Sequence, residues 1–151
     1  MNTIANTIAN KALDKSLLDT DILSEILKGV NPQVLVRANV YLEANDRYTF
    51  SVITVMEIVR GWHRLQRNDR VQRFLSTLPT AEVLVVDTPI AALAGRIYAD
   101  LQRSGQVIGV ADSIIAAAAL QNDLTLVTGN QAHYQRIQLL GYGLRIDNWR
   151  S

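Results

Sequence analysis

Three acids stand in unusually apolar company. Asp19 closes the run Ser16-Leu17-Leu18, with Asp21 one residue beyond it. Glu57 lies inside Val55-Met56-Glu57-Ile58-Val59, and Asp112 inside Ile108-Gly109-Val110-Ala111-Asp112-Ser113-Ile114-Ile115. A buried, unpaired carboxylate is costly, so each needs a counter-cation, a set of donors or a proton. Hard divalent cations take oxygen ligands, and a shared cation would satisfy the acids together, which raises metal-assisted phosphate chemistry. Each acid also fits a plainer role. Asp19, Asp21 and Asp112 sit where a helix cap belongs. Glu57 lies opposite the stripe Val55, Ile58, Val59 and Trp62, on the side of Arg60, Arg64 and Arg67. That side reads equally as a solvated charged face or as a phosphate track.

The elements that must position these acids follow from periodicity. Leu17-Leu18 reads as a short buried strand, and 21–28 as a helix stopped by Gly29. Asn31-Pro32 opens a second helix, with Val34, Ala38, Tyr41 and Leu42 at helical spacing, and Asn45-Asp46 turns it. Residues 48–53 begin as a strand; Thr54 then caps a helix to about Gln66. Val71, Phe74, Leu75 and Leu78 mark another helix, ended by Pro79. Residues 82–86 read as a clean buried strand, with Asp87 capping the helix of Ile90, Leu93, Ala94, Ile97 and Leu101 until Ser104-Gly105 breaks it. The helix 112–121, with its run of four alanines, is apolar nearly all round and therefore central. Residues 124–128 form a further buried strand, Gly129-Asn130 turns into a short helix, and 144–146 is an edge strand. Strands alternating with helices imply an α/β fold, a parallel sheet covered on both faces, with ligands at the carboxyl ends of its strands.

The chain has 151 residues, enough for one domain with a real core. Residues 1–14 read as a flexible leader and 15–151 as that domain. There is no cysteine, which excludes disulfides and thiolate metal sites and fits a cytoplasmic protein. No apolar run is long enough for a membrane span. A net charge of +1 excludes wholesale electrostatic attraction to nucleic acid. Arginine nevertheless outnumbers lysine, which occurs only at Lys11, Lys15 and Lys28, and arginine forks suit phosphate. Trp62 and Trp149 read as core or interface anchors, and His63 and His133 as structural or surface residues.

Four blocks, in order, resemble the PIN-domain ribonucleases, the VapC toxins of bacterial toxin–antitoxin pairs above all. They are 17–24, 51–57, 108–117 and Leu126-Val127-Thr128-Gly129-Asn130. The resemblance implies a single PIN-like domain with a central, mostly parallel sheet flanked by helices. It implies a Mg²⁺-dependent endoribonuclease (Mn²⁺ as an alternative ion), a homodimer, an RNA substrate and a cognate antitoxin protein. Asp19, Glu57 and Asp112 fall on the family's acidic positions, with Asp19 and Asp112 as direct ligands and Glu57 acting through water. Asn130 falls on its polar position, holding a carboxylate or a phosphate. Two positions depart from the pattern. Asp21 stands where Asn is usual, and His133 stands near the place of a fourth acid, each an additional candidate ligand. His133 keeps a second reading open, a PIN fold that binds RNA or a partner without cleaving. A third reading, an aspartyl-nucleophile phosphatase built on Asp19-x-Asp21, requires a catalytic lysine, and none follows Lys28.

Overall fold

The computed structural model describes residues 14–151. The expected leader, apart from Asp14, lies outside the described residues. The first strand, β1 (Ser16–Leu18), leads into α1 (Thr20–Lys28) and α2 (Pro32–Asn45). β2 (Thr49–Ser51) follows, then α3 (Val52–Arg64), α4 (Asn68–Thr77) and β3 (Glu82–Leu84). The second half runs α5 (Thr88–Arg103), α6 (Val110–Gln121), β4 (Thr125–Val127), α7 (Gln131–Leu139) and β5 (Ile146–Asp147). Every strand pairing is parallel. β4 is flanked by β1 and β5, with Leu17 opposite Leu126 and Leu126 opposite Ile146, while β2 pairs with β3.

The two ladders lie side by side, β1 next to β2, and a side chain takes up backbone groups at the start of β1. The Tyr41 hydroxyl accepts the Ser16 N–H at 3.1 Å and lies 3.3 Å from the Ser16 carbonyl. It satisfies backbone groups that a neighbouring strand would otherwise take.

Alternation along the strands divides the core. Leu17 and Leu126 face one side, with Ile97, Leu101, Ile115 and the alanine run of α6. Leu18 and Val127 face the other, with Ile22, Tyr41, Phe50, Phe74 and Trp149. Successive side chains of a strand point to opposite faces, so a two-residue apolar run seeds both layers. Trp149 is a core anchor, its ring 5.5 Å from that of Tyr41. Phe74 is internal as well, 6.3 Å from Phe50, and is not part of a free apolar surface. Trp62 is half-buried beneath the Arg70 guanidinium, 4.9 Å from its ring centre.

Most helix ends obey their local chemistry. Asn31 accepts from Gln33 and Val34, Asp87 from Ile90, and Gly29 adopts φ 67° at the end of α1. Three expectations need correction. Ser51, not Thr54, caps α3, accepting from the Ile53 N–H at 3.0 Å; the strand is shorter than its β-branched run suggests, and Thr54 is fully buried one turn in. α3 ends at Arg64, because Gln66 takes φ 58°. The stretch 82–86 is not a buried strand. β3 is half-buried at a sheet edge, where Glu82 pairs with Lys15 and Arg47, and Val85 is 70% exposed.

α6 is the central helix that its composition demanded, with Ala116, Ala117, Ala118 and Ala119 all buried. Methyl side chains let α5 and β4 approach it closely, leaving no room for branched ones. Ala117→Leu should therefore destabilise the fold by about 1–3 kcal/mol, read as a lower urea midpoint. An unchanged midpoint would show that this packing yields freely.

Candidate active site

The carboxyl end of β1 is where the acids converge. Asp19 leaves the strand as the N-cap of α1. Its Oδ1 accepts the Thr20 N–H at 2.8 Å, and its Oδ2 accepts the Thr128 hydroxyl at 2.8 Å. Cap and site residue are thus one side chain. Asp19 is only 5% exposed. Thr20, next in sequence, ties the neighbouring element down: its hydroxyl lies 2.9 Å from the Thr54 hydroxyl and donates to Glu57 Oε1 at 2.6 Å. These contacts bring the carboxyl ends of β1 and β2 to the same edge, and Glu57 with them.

Asp112 arrives from the first turn of α6, whose cap is Gly109. It does not cap its helix. Tyr134 donates to its Oδ1 at 3.2 Å, and His133 Nδ1 lies 3.2 Å from its Oδ2. The same His133 nitrogen is 2.8 Å from Asn130 Nδ2. Asp21 is held by the Ile22 N–H and by the Gly129 N–H, at 2.8 and 2.9 Å. Arg150 reaches it as well, with Nη1 3.8 Å from Oδ2.

An open cleft of about 470 Å³ collects these groups, lined by Asp19, Thr20, Asp21, Ser24, Glu57, Asp112, Gly129, Asn130 and Arg150. All four candidate acids and Asn130 therefore share one cavity. His133 stands behind Asp112 and is not part of the lining. Arg60 and Arg64 are exposed on α3, and Arg67 lies beyond its end, paired to Asp69 at 2.9 Å. None of the three lines the cleft. Glu57 is half-buried against Thr20 and is not part of a solvated face.

Electrostatically the cleft is overloaded. Burial, with the negative charges of Asp21 and Asp112 adding to it, pushes the Asp19 carboxyl up to about 7, against the pull of its Thr128 and Thr20 hydrogen bonds. Burial also raises Asp21, opposed by Gly129 and Arg150. Burial and the two aspartates Asp19 and Asp112 hold the Tyr134 hydroxyl well above its usual range, so it remains a donor. The donor set is oxygen throughout, the kind that hard divalent cations prefer. Among the described residues no three His, Cys, Asp or Glu side chains stand close enough, as they are held, to share one ion. A small ion that keeps several waters needs only one or two direct carboxylates, and the cleft offers that.

Several partners were not singled out from the sequence. Thr128 sits in the Thr-x-Asn run and was the most accessible to motif reasoning. Thr20 and Tyr134 sit beside recognised positions, but nothing local marks their hydroxyls. Arg150 carried no signal at all.

The PIN domain family model matches residues 16–138. The tRNA(fMet)-specific endonuclease VapC of Salmonella typhimurium is 33% identical over 139 residues, 89% of this chain and 98% of the relative. Ribonuclease VapC2 of Haemophilus influenzae is 32% identical over the same length and shares. Among solved structures, DNA-bound VapBC from Salmonella typhimurium superposes with a TM-score of 0.76 at 31% identity, covering 89% of this chain and 98% of that one. VapBC-1 from nontypeable Haemophilus influenzae gives 0.75 at 27%, covering 90% and 98%. The chain therefore belongs to the PIN-domain family, within its VapC group.

The raised Asp19 carboxyl has a consequence for stability. The folded protein keeps this proton to about pH 7, whereas the unfolded chain releases it near 3.8. Over that window the folded state binds more protons, so its stability falls as pH rises. In EDTA, Asp19→Asn should be more stable than wild type above about pH 8, by roughly 2–4 kcal/mol, with the advantage shrinking towards about pH 4.5. Urea unfolding at several pH values reads this, and a pH-independent difference would contradict it.

Proposed function

We propose that the protein is a Mg²⁺-dependent endoribonuclease, the toxin of a type II toxin–antitoxin pair, with Mn²⁺ able to replace Mg²⁺. One observation carries the reading: four carboxylates, Asp19, Asp21, Glu57 and Asp112, face a single open cleft, and the most buried of them is held at a pKa of about 7. Such a charge excess is relieved by a cation. The relatives' names as ribonucleases and a tRNA endonuclease support the direction.

Asp19 and Asp112 are the groups to hold the ion directly. When bound, Mg²⁺ would polarise a phosphodiester and acidify a coordinated water. The protein's own part is positional. Thr128 and the Thr20 amide each occupy one Asp19 oxygen, and Tyr134 and His133 brace Asp112, so both carboxylates are orientated before substrate arrives. Glu57, anchored by Thr20 through Oε1, orients the attacking water and accepts its proton. The water oxygen bonds to phosphorus as the bond from phosphorus to the 3′ oxygen breaks. That oxygen takes up a proton, leaving a 3′-hydroxyl and a 5′-phosphate. Asn130, on the cleft wall, holds a phosphate oxygen. Asp21, held by backbone amides and Arg150, is a supporting acid. His133 braces Asp112 in place of serving as a fourth ligand. Arg60 and Arg64 extend the RNA path along α3.

The partners follow the same reading. The solved relatives are VapBC complexes, so a cognate antitoxin restrains this chain in the cytoplasm. Among the described residues no helix is long and apolar enough to cross a membrane. A homodimer would cover exposed apolar side chains such as Val52, Met56, Val85 and Val110, all between 39% and 70% exposed. Val85→Asp with Met56→Glu should shift sedimentation to the monomer; a wild type that is already monomeric removes the dimer.

The activity test uses purified protein and a tRNA pool, with initiator tRNA included because it names one relative. Cleavage should need Mg²⁺ or Mn²⁺ and stop in EDTA. Asp19→Asn and Asp112→Asn should each lower kcat by about two orders of magnitude or more. RNA binding without metal-dependent cleavage would leave the non-catalytic reading in its place.

A further inference from the structure

Arg150 is the one cationic side chain lining the acidic cleft, among the described residues. Its seat is built from three sides. On the first, the segment that carries it is fixed. Trp149 is buried against Tyr41, the Arg150 N–H donates to Asn148 Oδ1 at 2.9 Å, and Arg37 donates to the Asn148 carbonyl at 2.6 Å. On the second, Gly129 makes room for it. A β-carbon there would fall 2.5 Å from Arg150 Nη1 and 2.8 Å from Asp21 Oδ2, so guanidinium and carboxylate, as they are held, both rest against the bare backbone of this glycine. On the third are two acids that hold it loosely. Nη2 donates to Glu25 Oε1 at 3.2 Å, and Asp21 lies beyond hydrogen-bond range at 3.8 Å. A guanidinium has five N–H donors; among the described residues this one spends a single hydrogen bond on another side chain, and it is 38% exposed.

The cleft has a problem that such a group solves. Four carboxylates repel a phosphodiester, and a divalent ion held by two of them offsets only part of that charge. A planar fork beside the ion site matches phosphate geometry bidentately. We infer that Arg150 is the residue that grips the RNA backbone at this site: it rests on Asp21 and Glu25 in the free protein and transfers to a phosphate of the strand laid in the cleft. The assignment rests on the endoribonuclease reading for its substrate class. It makes Arg150 a substrate-binding group and Asp21 its counter-ion, where Arg60, Arg64 and Arg67 were the arginines that the sequence brought forward.

The test compares full-length wild type, Arg150→Gln, Arg150→Lys and Glu25→Gln. Binding of a fluorescein-labelled RNA hairpin is followed in EDTA across a salt series, and steady-state cleavage of the tRNA pool is followed in Mg²⁺. Arg150→Gln should weaken binding by about three- to tenfold and lower the slope of log K against log salt by roughly 0.7–0.9, the loss of one phosphate contact. KM should rise in proportion, with kcat and the Mg²⁺ midpoint nearly unchanged, and Arg150→Lys should recover much of the affinity. Glu25→Gln leaves the arginine in place and frees it from its hydrogen-bonded acid, so it should tighten binding. Should Arg150→Gln fold poorly, Glu25→Gln still decides. Unchanged affinity and salt slope in Arg150→Gln, or a shifted kcat and Mg²⁺ midpoint at unchanged affinity, overturns the assignment in favour of a purely structural partner for Asp21. Wild-type protein that binds the hairpin through Arg150 but cleaves no RNA overturns the nuclease reading alone.

Discussion

Negative charge crowded into a poorly solvated corner is the constraint on which the rest of this structure depends. Asp19 is 5% exposed and has Asp21 and Asp112 for neighbours. In a low-dielectric setting like charges repel more strongly than in water, and the protein answers with fixed dipoles. Thr20 and Thr128 serve Asp19, Tyr134 serves Asp112, and backbone amides of Ile22 and Gly129 serve Asp21. These donors hold the carboxylates in place without cancelling their charge, since Asp19 remains shifted to about 7. Nearby cations offset the charge only in part: Arg150 Nη1 lies 3.8 Å from Asp21 Oδ2, and carboxylates remain in excess along the cleft.

The fold makes that excess tolerable. Parallel strands bring helix N-termini to a common edge, and three of the acids sit there: Asp19 and Asp21 at the start of α1, Asp112 in the first turn of α6. Helix N-termini carry partial positive charge and favour carboxylates by a few tenths to about 1 kcal/mol each. Glu57 is the exception, a turn into α3, and it is held by the Thr20 hydroxyl of α1. The cap and the ligand readings of Asp19 are therefore the same physics seen twice. A residue that satisfies an amide at a helix start is already where a cation can use its remaining charge.

The two core layers extend this logic to the end of the chain. Leu17 and Leu18 send their side chains into opposite layers. The same division places Trp149 inside one layer while its neighbour Arg150 reaches the cleft. Burial of a large aromatic thus fixes the position of a polar group next to it. The seat at Gly129 also joins that segment to the turn after β4, so the cleft is closed by residues from both ends of the described chain.

Much of this was written locally. The order of strands and helices, the stops at Gly29 and Ser104-Gly105, the caps at Asn31 and Asp87, the central alanine helix and the three acids in apolar surroundings all follow from periodicity and from the cost of burying charge, which act over a few residues. The elements misread were those where neighbours overrode propensity: Ser51 caps α3 because the strand ends early, and β3 is half-buried at an edge, paired with β2 and packed only in part against the two core layers. The partners of the acids had no local signature. Thr128 meets Asp19 across 109 positions and Thr20 meets Glu57 across 37, and Arg150 lies at a similar remove from Asp21. A hydroxyl or a guanidinium in a loop looks the same in sequence whether it faces water or a carboxylate. Sequence alone determined which residues needed compensation, since that follows from side-chain chemistry and apolar context. Only the tertiary structure decided what compensates them, because that depends on which distant segments the parallel sheet brings to one edge.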